Sequence, residues 1–63
     1  MPVITIQQIA GRTKKQKTDL MKKITEAFVD VYDVPGEGVM IIFQDLEDDD
    51  WGRNGVLHGD LDK

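Results

Sequence analysis

Val39-Met40-Ile41-Ile42-Phe43 is an unbroken apolar run. A run of this length, flanked by turn-forming residues, suits a strand covered on both faces. Gln44-Asp45-Leu46 then carries the chain back towards water. Immediately before the run, Asp33-Val34-Pro35-Gly36-Glu37-Gly38 marks a reversal. Pro35 has no amide hydrogen and disfavours a helical Val34, while two glycines permit a tight turn.

Upstream of that reversal the period changes. Leu20, Ile24, Ala27, Phe28 and Val31 fall on one stripe of a helix, with Met21 at its margin. Thr13-Lys14-Lys15-Gln16 has the spacing of a capping box, in which the first and fourth residues satisfy each other's free amides. The helix is therefore predicted from Thr13 to about Tyr32. Before it, Pro2-Val3-Ile4-Thr5-Ile6-Gln7-Gln8-Ile9 is rich in β-branched residues and reads as a strand, broken by Ala10-Gly11-Arg12.

Strand, helix and strand make a β-α-β unit, so the two strands should run parallel with the helix on one face. Downstream, Glu47-Asp48-Asp49-Asp50 is read as a solvated turn, and Asn54-Gly55 is the pair that favours a type I′ hairpin. Trp51 to Lys63 is expected to be a short hairpin followed by a loose tail. The fold class is α/β (α+β), as a single domain over residues 1–63.

Sixty-three residues without cysteine cannot be held by disulfides or by a thiolate metal site, and one histidine cannot build a histidine cluster. Oligomerisation is the remaining route to a sufficient core. Two copies pairing strand edges would give a four-stranded sheet with two helices on one face, and would cover the edges that invite aggregation. A net charge of −4 argues against general nucleic-acid binding. No stretch approaches the roughly 20 apolar residues of a membrane span, and no signal core follows the N-terminus; a cytoplasmic protein is expected. Lys14, Lys15 and Lys17 crowd a helix start, where the helix dipole disfavours cations. The acidic run of a neighbouring subunit is the expected partner.

Two residues carry candidate chemistry. If Met1 is removed, Pro2 becomes a secondary amine at the mouth of a strand, and burial beside a cation would lower its pKa towards neutrality and make it a usable base. Arg12, at the strand-to-helix corner, can hold a carboxylate with its planar fork. Trp51, the lone tryptophan of a small domain, reads as a packing anchor. His58 is read as exposed and idle.

Pro2 opening a strand, Gly11-Arg12, Gln16-Lys17, Thr25-Glu26-Ala27, Pro35, and Trp51-Gly52 with Gly55 together resemble the 4-oxalocrotonate tautomerase family over nearly the whole chain. The resemblance implies an isomerase that moves a proton between enol and keto forms of a small acid, without cofactor or metal. It implies subunits assembled as a hexamer, a trimer of dimers. Pro2 then matches the catalytic proline, Arg12 the carboxylate-binding arginine and Trp51 an aromatic residue of the pocket.

One departure bears on substrate choice: Met40 stands where well-studied members carry a second arginine. Arg53, two residues after Trp51, is the candidate to replace that cation, and an exposed turn arginine is the alternative. Two other activities fit the same scaffold. A hydratase or dehalogenase of unsaturated acids would need a carboxylate to activate water, and a non-catalytic oligomeric module would follow if Met1 is retained.

Overall fold

The computed structural model describes residues 1–61. Two strands, β1 (Val3–Ile9) and β2 (Met40–Leu46), pair in parallel from Val3 opposite Met40 to Ile9 opposite Leu46. The helix α1 (Lys14–Tyr32) connects them. Two residues each of β3 (Gly52–Arg53) and β4 (Val56–Leu57) form an antiparallel hairpin. The β-α-β unit and hairpin are those predicted.

Local chemistry sets the helix ends. The Thr13 hydroxyl accepts from the Gln16 amide at 3.1 Å, and Gln16 Oε1 accepts from the Thr13 amide at 3.0 Å. At the other end Asp33 turns left-handed, with φ 55°, and its amide donates to the Val29 carbonyl. Such a residue satisfies one of the helix's last free carbonyls. A single 3₁₀ turn, Gly36–Gly38, then leads into β2.

Two of the crowded lysines find acids in their own chain. Lys15 pairs with Asp19 at 2.6 Å, and Lys17 reaches Asp45 of β2 at 2.5 Å. The expected neutralisation by a neighbour's acidic run is thus not needed for these two.

Coverage is where the single chain falls short. Ile4, Ile6, Ile41 and Phe43 lie on the half-buried face of the ribbon, whereas Val3 and Met40, on the other face, are 56% and 50% exposed. The apolar run of β2, read as covered on both sides, is covered on one, because one helix can cover only one face. The helical stripe is split in the same way: Ile24 and Phe28 are half-buried, but Leu20, Ala27 and Val31 are exposed, Val31 by 77%.

No described residue is fully buried. The chain exposes 5121 Å², where the scaling for a monomer of its 7.1 kDa gives about 4,100 Å². Its radius of gyration is 15.4 Å against about 11 Å for a compact chain of this length. The longest dimension, 48 Å, exceeds both the helix, about 29 Å, and the strands, about 23 Å. The C-terminal segment therefore reaches beyond the β-α-β unit.

That segment is more ordered than the predicted loose tail. Asn54 and Gly55 both have positive φ, 54° and 79°, as a type I′ turn requires. His58–Asp60 forms a 3₁₀ turn, and the Gly59 amide donates to the Asp48 carbonyl. The last two residues of the predicted tail, Asp62 and Lys63, lie outside the described residues. Among the described residues no helix is long and apolar enough to cross a membrane.

Candidate active site

The parallel register decides which candidate residues meet. Pro2 directly precedes β1 and Met40 opens β2, and the Met40 amide donates to the Pro2 carbonyl at 3.0 Å. These two are neighbours. Pro2 is half-buried, and in the full-length chain its nitrogen is an amide bonded to Met1. The contact is between backbones: the uncharged Met40 side chain lies with Val3 on the open face of the ribbon.

Arg12 lies past the other end of β1. Gly11 bends the chain there with φ 122°, and a Cβ built on it would meet nothing within 4 Å, so backbone conformation alone favours glycine. Arg12, Gln8, Gln16, Lys17, Leu20 and Phe43 line a cavity of about 230 Å³. The seven residues of β1 put about 23 Å of strand between Pro2 and Arg12. Within one chain they cannot touch the same small molecule.

The cavity's electrostatics are partly spoken for. The Lys17 ammonium binds Asp45 Oδ2 and stands 5.6 Å from the centre of the Phe43 ring, and Gln8 Nε2 donates to Asp45 Oδ1 at 3.0 Å. The hydrogen bond from Lys17, and then that from Gln8, hold the Asp45 carboxyl below its ordinary 3.8. Asp45 thereby offsets the charge of Lys17. Arg12 makes no hydrogen bond or ion pair with any described residue, so its fork is free for an anion.

The hairpin holds a third group. The Arg53 guanidinium stands 5.8 Å from the centre of the Trp51 ring, within reach of a cation–π contact. His58, read from sequence as exposed and idle, is half-buried and stacked on Trp51, with ring centres 4.3 Å apart and planes 17° from parallel. A signal for this was present in the sequence: counting outward from Asn54-Gly55 pairs residue 53 with 56, 52 with 57 and 51 with 58. Among the described residues, no three His, Asp or Glu side chains converge as a metal site.

The candidate groups are thus a proline at one end of β1, a free arginine in a cleft past the other end, and a hairpin tryptophan stacked on a histidine with an arginine near its ring. The sequence model of tautomerase enzymes matches residues 2–61. The chain belongs to the tautomerase enzyme family. A 2-hydroxymuconate tautomerase of Pseudomonas putida is 33% identical over 61 residues, 97% of either chain. The crystal structure of a 4-oxalocrotonate tautomerase homologue superposes with a TM-score of 0.87 at 30% identity, covering 95% of each chain. A heterohexameric 4-oxalocrotonate tautomerase of Chloroflexus aurantiacus superposes at 0.80 with 28% identity, covering 97% of this chain and 98% of its own.

Proposed function

We propose that the chain is a keto–enol tautomerase of small unsaturated 2-hydroxy or 2-oxo acids, working as a homo-oligomer, most simply a hexamer, with Pro2 as base and then acid once Met1 is gone. The observation that carries the reading is the separation of Pro2 from Arg12 by the length of β1, in a chain whose apolar sheet face and helix flank are bare. One chain holds the parts of the site without joining them. A second copy paired antiparallel along the sheet edge would bring one copy's Pro2 end to the other's Arg12 end, within a four-stranded sheet carrying two helices on one face. The relatives' names, one for a 2-hydroxymuconate tautomerase and one for a heterohexamer, agree with both the chemistry and the assembly.

In this reading Arg12 grips the substrate carboxylate through two parallel N–H···O bonds. The neutral secondary amine of Pro2 takes the proton from the enol oxygen. As the carbon–oxygen double bond forms, the ammonium returns a proton to the carbon end of the enol, and the amine is regenerated. No atom is lost or gained. Pro2 is half-buried, and partial burial disfavours the cationic form of an amine, which favours the neutral base. Trp51 supplies an apolar wall.

Met40 also removes a second fixed charge near the proline, so a substrate with a single carboxylate, such as an enolised aryl-pyruvate, is the preferred class. Arg53, held over Trp51, is the group that could receive a second carboxylate.

The test is intact mass combined with rate. Protein beginning at Pro2 should ketonise the enol, protein still carrying Met1 should not, and covalent blocking of the amine should abolish turnover. Pro2→Ala should be markedly slower, since a primary amine differs in basicity and rigidity. The proline-base reading is falsified if protein with Met1 intact works as fast as protein starting at Pro2; if neither form turns the enol over, a non-catalytic module is the better description.

A further inference from the structure

We infer that His58 is a positioning residue for the pocket: its imidazole holds the Trp51 indole in place and, through the indole, the Arg53 guanidinium. The inference rests on the tautomerase reading above, with Trp51 as the pocket's wall. It starts from register. Arg53 pairs with Val56 and Gly52 with Leu57, and one step further out the His58 amide donates to the Trp51 carbonyl at 2.9 Å. Directly opposed residues of an antiparallel pair project to the same face. Trp51, His58 and Arg53 therefore share a face of the hairpin, with Gly52 and Leu57 on the other.

The register that sets Trp51 opposite His58 depends on a glycine at position 52. A Cβ on Gly52 would stand 2.0 Å from the Val56 carbonyl oxygen, so the strands close tightly on a glycine at that one place. His58 is fixed from its other side as well, because Gly59 donates to Asp48 and the 3₁₀ turn His58–Asp60 follows at once.

What joins the two rings is contact between their faces. Trp51 Nε1 and His58 Nδ1 are both shut off from water, and neither has a hydrogen-bond partner among the described residues. A near-parallel stack at 4.3 Å needs a flat ring at position 58 more than it needs a nitrogen there. Removing that ring leaves the indole free to turn away, and the cation resting on it moves too. The loss should fall on substrate binding, because neither ring exchanges a proton with the enol.

The chain's single tryptophan and single histidine make the test direct. Mature wild-type protein, His58→Ala and His58→Phe are compared by steady-state kinetics on an enolised aryl-pyruvate, by Trp51 emission, and by elution volume. His58→Ala should raise KM about tenfold with kcat within about twofold, and its emission should move to longer wavelength as the indole meets water. His58→Phe should keep both KM and emission near wild type.

An active wild type whose His58→Ala variant has unchanged KM overturns the inference and leaves the tautomerase reading standing. An inactive wild type overturns both. If His58→Ala no longer assembles, His58→Phe is set against His58→Leu, which fills the space without a flat ring. A raised KM in the leucine variant alone supports the inference, and equal kinetics in the two overturns it.

Discussion

The two ends of the β1–β2 ribbon share their strands and carry opposite chemistry. At one end Pro2 lies beside Met40, joined through the Met40 amide, with an uncharged side chain where a base would be helped by a cation. At the other, Arg12 and Lys17 face one cleft with Gln8 and Gln16, and Asp45 ties down one of the two charges. One end suits a neutral amine and the other suits an anion. The length of β1 keeps them about 23 Å apart, and in the proposed reading assembly joins what one chain separates. The bare apolar residues of the open sheet face, Val3, Ile9, Met40 and Ile42, and the bare helix flank at Val31, are the surfaces available for that purpose.

The hardest blow to this comparison is to prevent assembly. Ile42→Lys places a charge in the middle of the open sheet face, opposite Thr5 in the register, where burial between copies would leave it unpaired. The variant should elute as a monomer, lose its cooperative unfolding transition and lose turnover altogether. Wild-type protein should elute as an oligomer at micromolar concentration. A stable, active wild-type monomer would end the idea that the two ends work across chains.

The next effect is confined to the charged end. Arg12→Ala should lower kcat/KM by roughly tenfold to a thousandfold, about 1.4 to 4 kcal/mol, for every carboxylate substrate. Thermal stability should barely move, because Arg12 is exposed and makes no hydrogen bond or ion pair with any other described residue. Unchanged kinetics would return Arg12 to the role of a solvated corner residue.

What could be read from the sequence was what local hydrogen bonding decides. Thr13 and Gln16 named the helix start to the residue, since the capping box is complete within four residues. Asn54-Gly55 named the turn, since both positions must take positive φ. Coverage was harder to read. The run Val39–Phe43 asked for burial on both faces, and the stripe from Leu20 to Val31 is wider than one sheet face can hide; both overstate what a single chain covers because they are patterned for neighbours as well. His58 was misread for a different reason. Nearness to the chain end suggests an exposed residue, whereas the turn register sets His58 opposite the tryptophan. The split between Pro2 and Arg12 follows from the length of β1 alone, whereas the meeting of Pro2 with Met40 needs the strand pairing, in which Met40 stands opposite Val3 and its amide donates to the Pro2 carbonyl.

A gain of charge at the uncharged end sharpens the comparison. Met40→Arg restores a fixed cation next to Pro2 and should shift the ratio of kcat/KM towards dicarboxylate over monocarboxylate enols by about tenfold. Competition assays on one preparation measure that ratio directly. An unchanged preference would mean that the side chain at position 40 does not reach the substrate, and would leave the roles of Pro2 and Arg12 untouched.

The smallest effect concerns the ion pair that tempers the charged end. The Asp45 carboxyl is held below 3.8 chiefly by the Lys17 hydrogen bond and then by Gln8, so the folded chain binds that proton more weakly than the unfolded chain does. The stability this contributes is complete above the unfolded value of about 3.8 and is lost as pH falls through the lower, folded value. Asp45→Asn removes the contribution at every pH. Melting temperatures of the two proteins should therefore differ slightly at neutral pH, keep that difference down to about pH 4, and converge below it as Asp45 of the wild type takes up its proton. The pair is part-exposed, with each side chain about 30% accessible, so the offset stays small. Melting curves that remain parallel to the acid limit would show that Asp45 is not the group being titrated, and that Lys17 keeps its full charge beside Arg12.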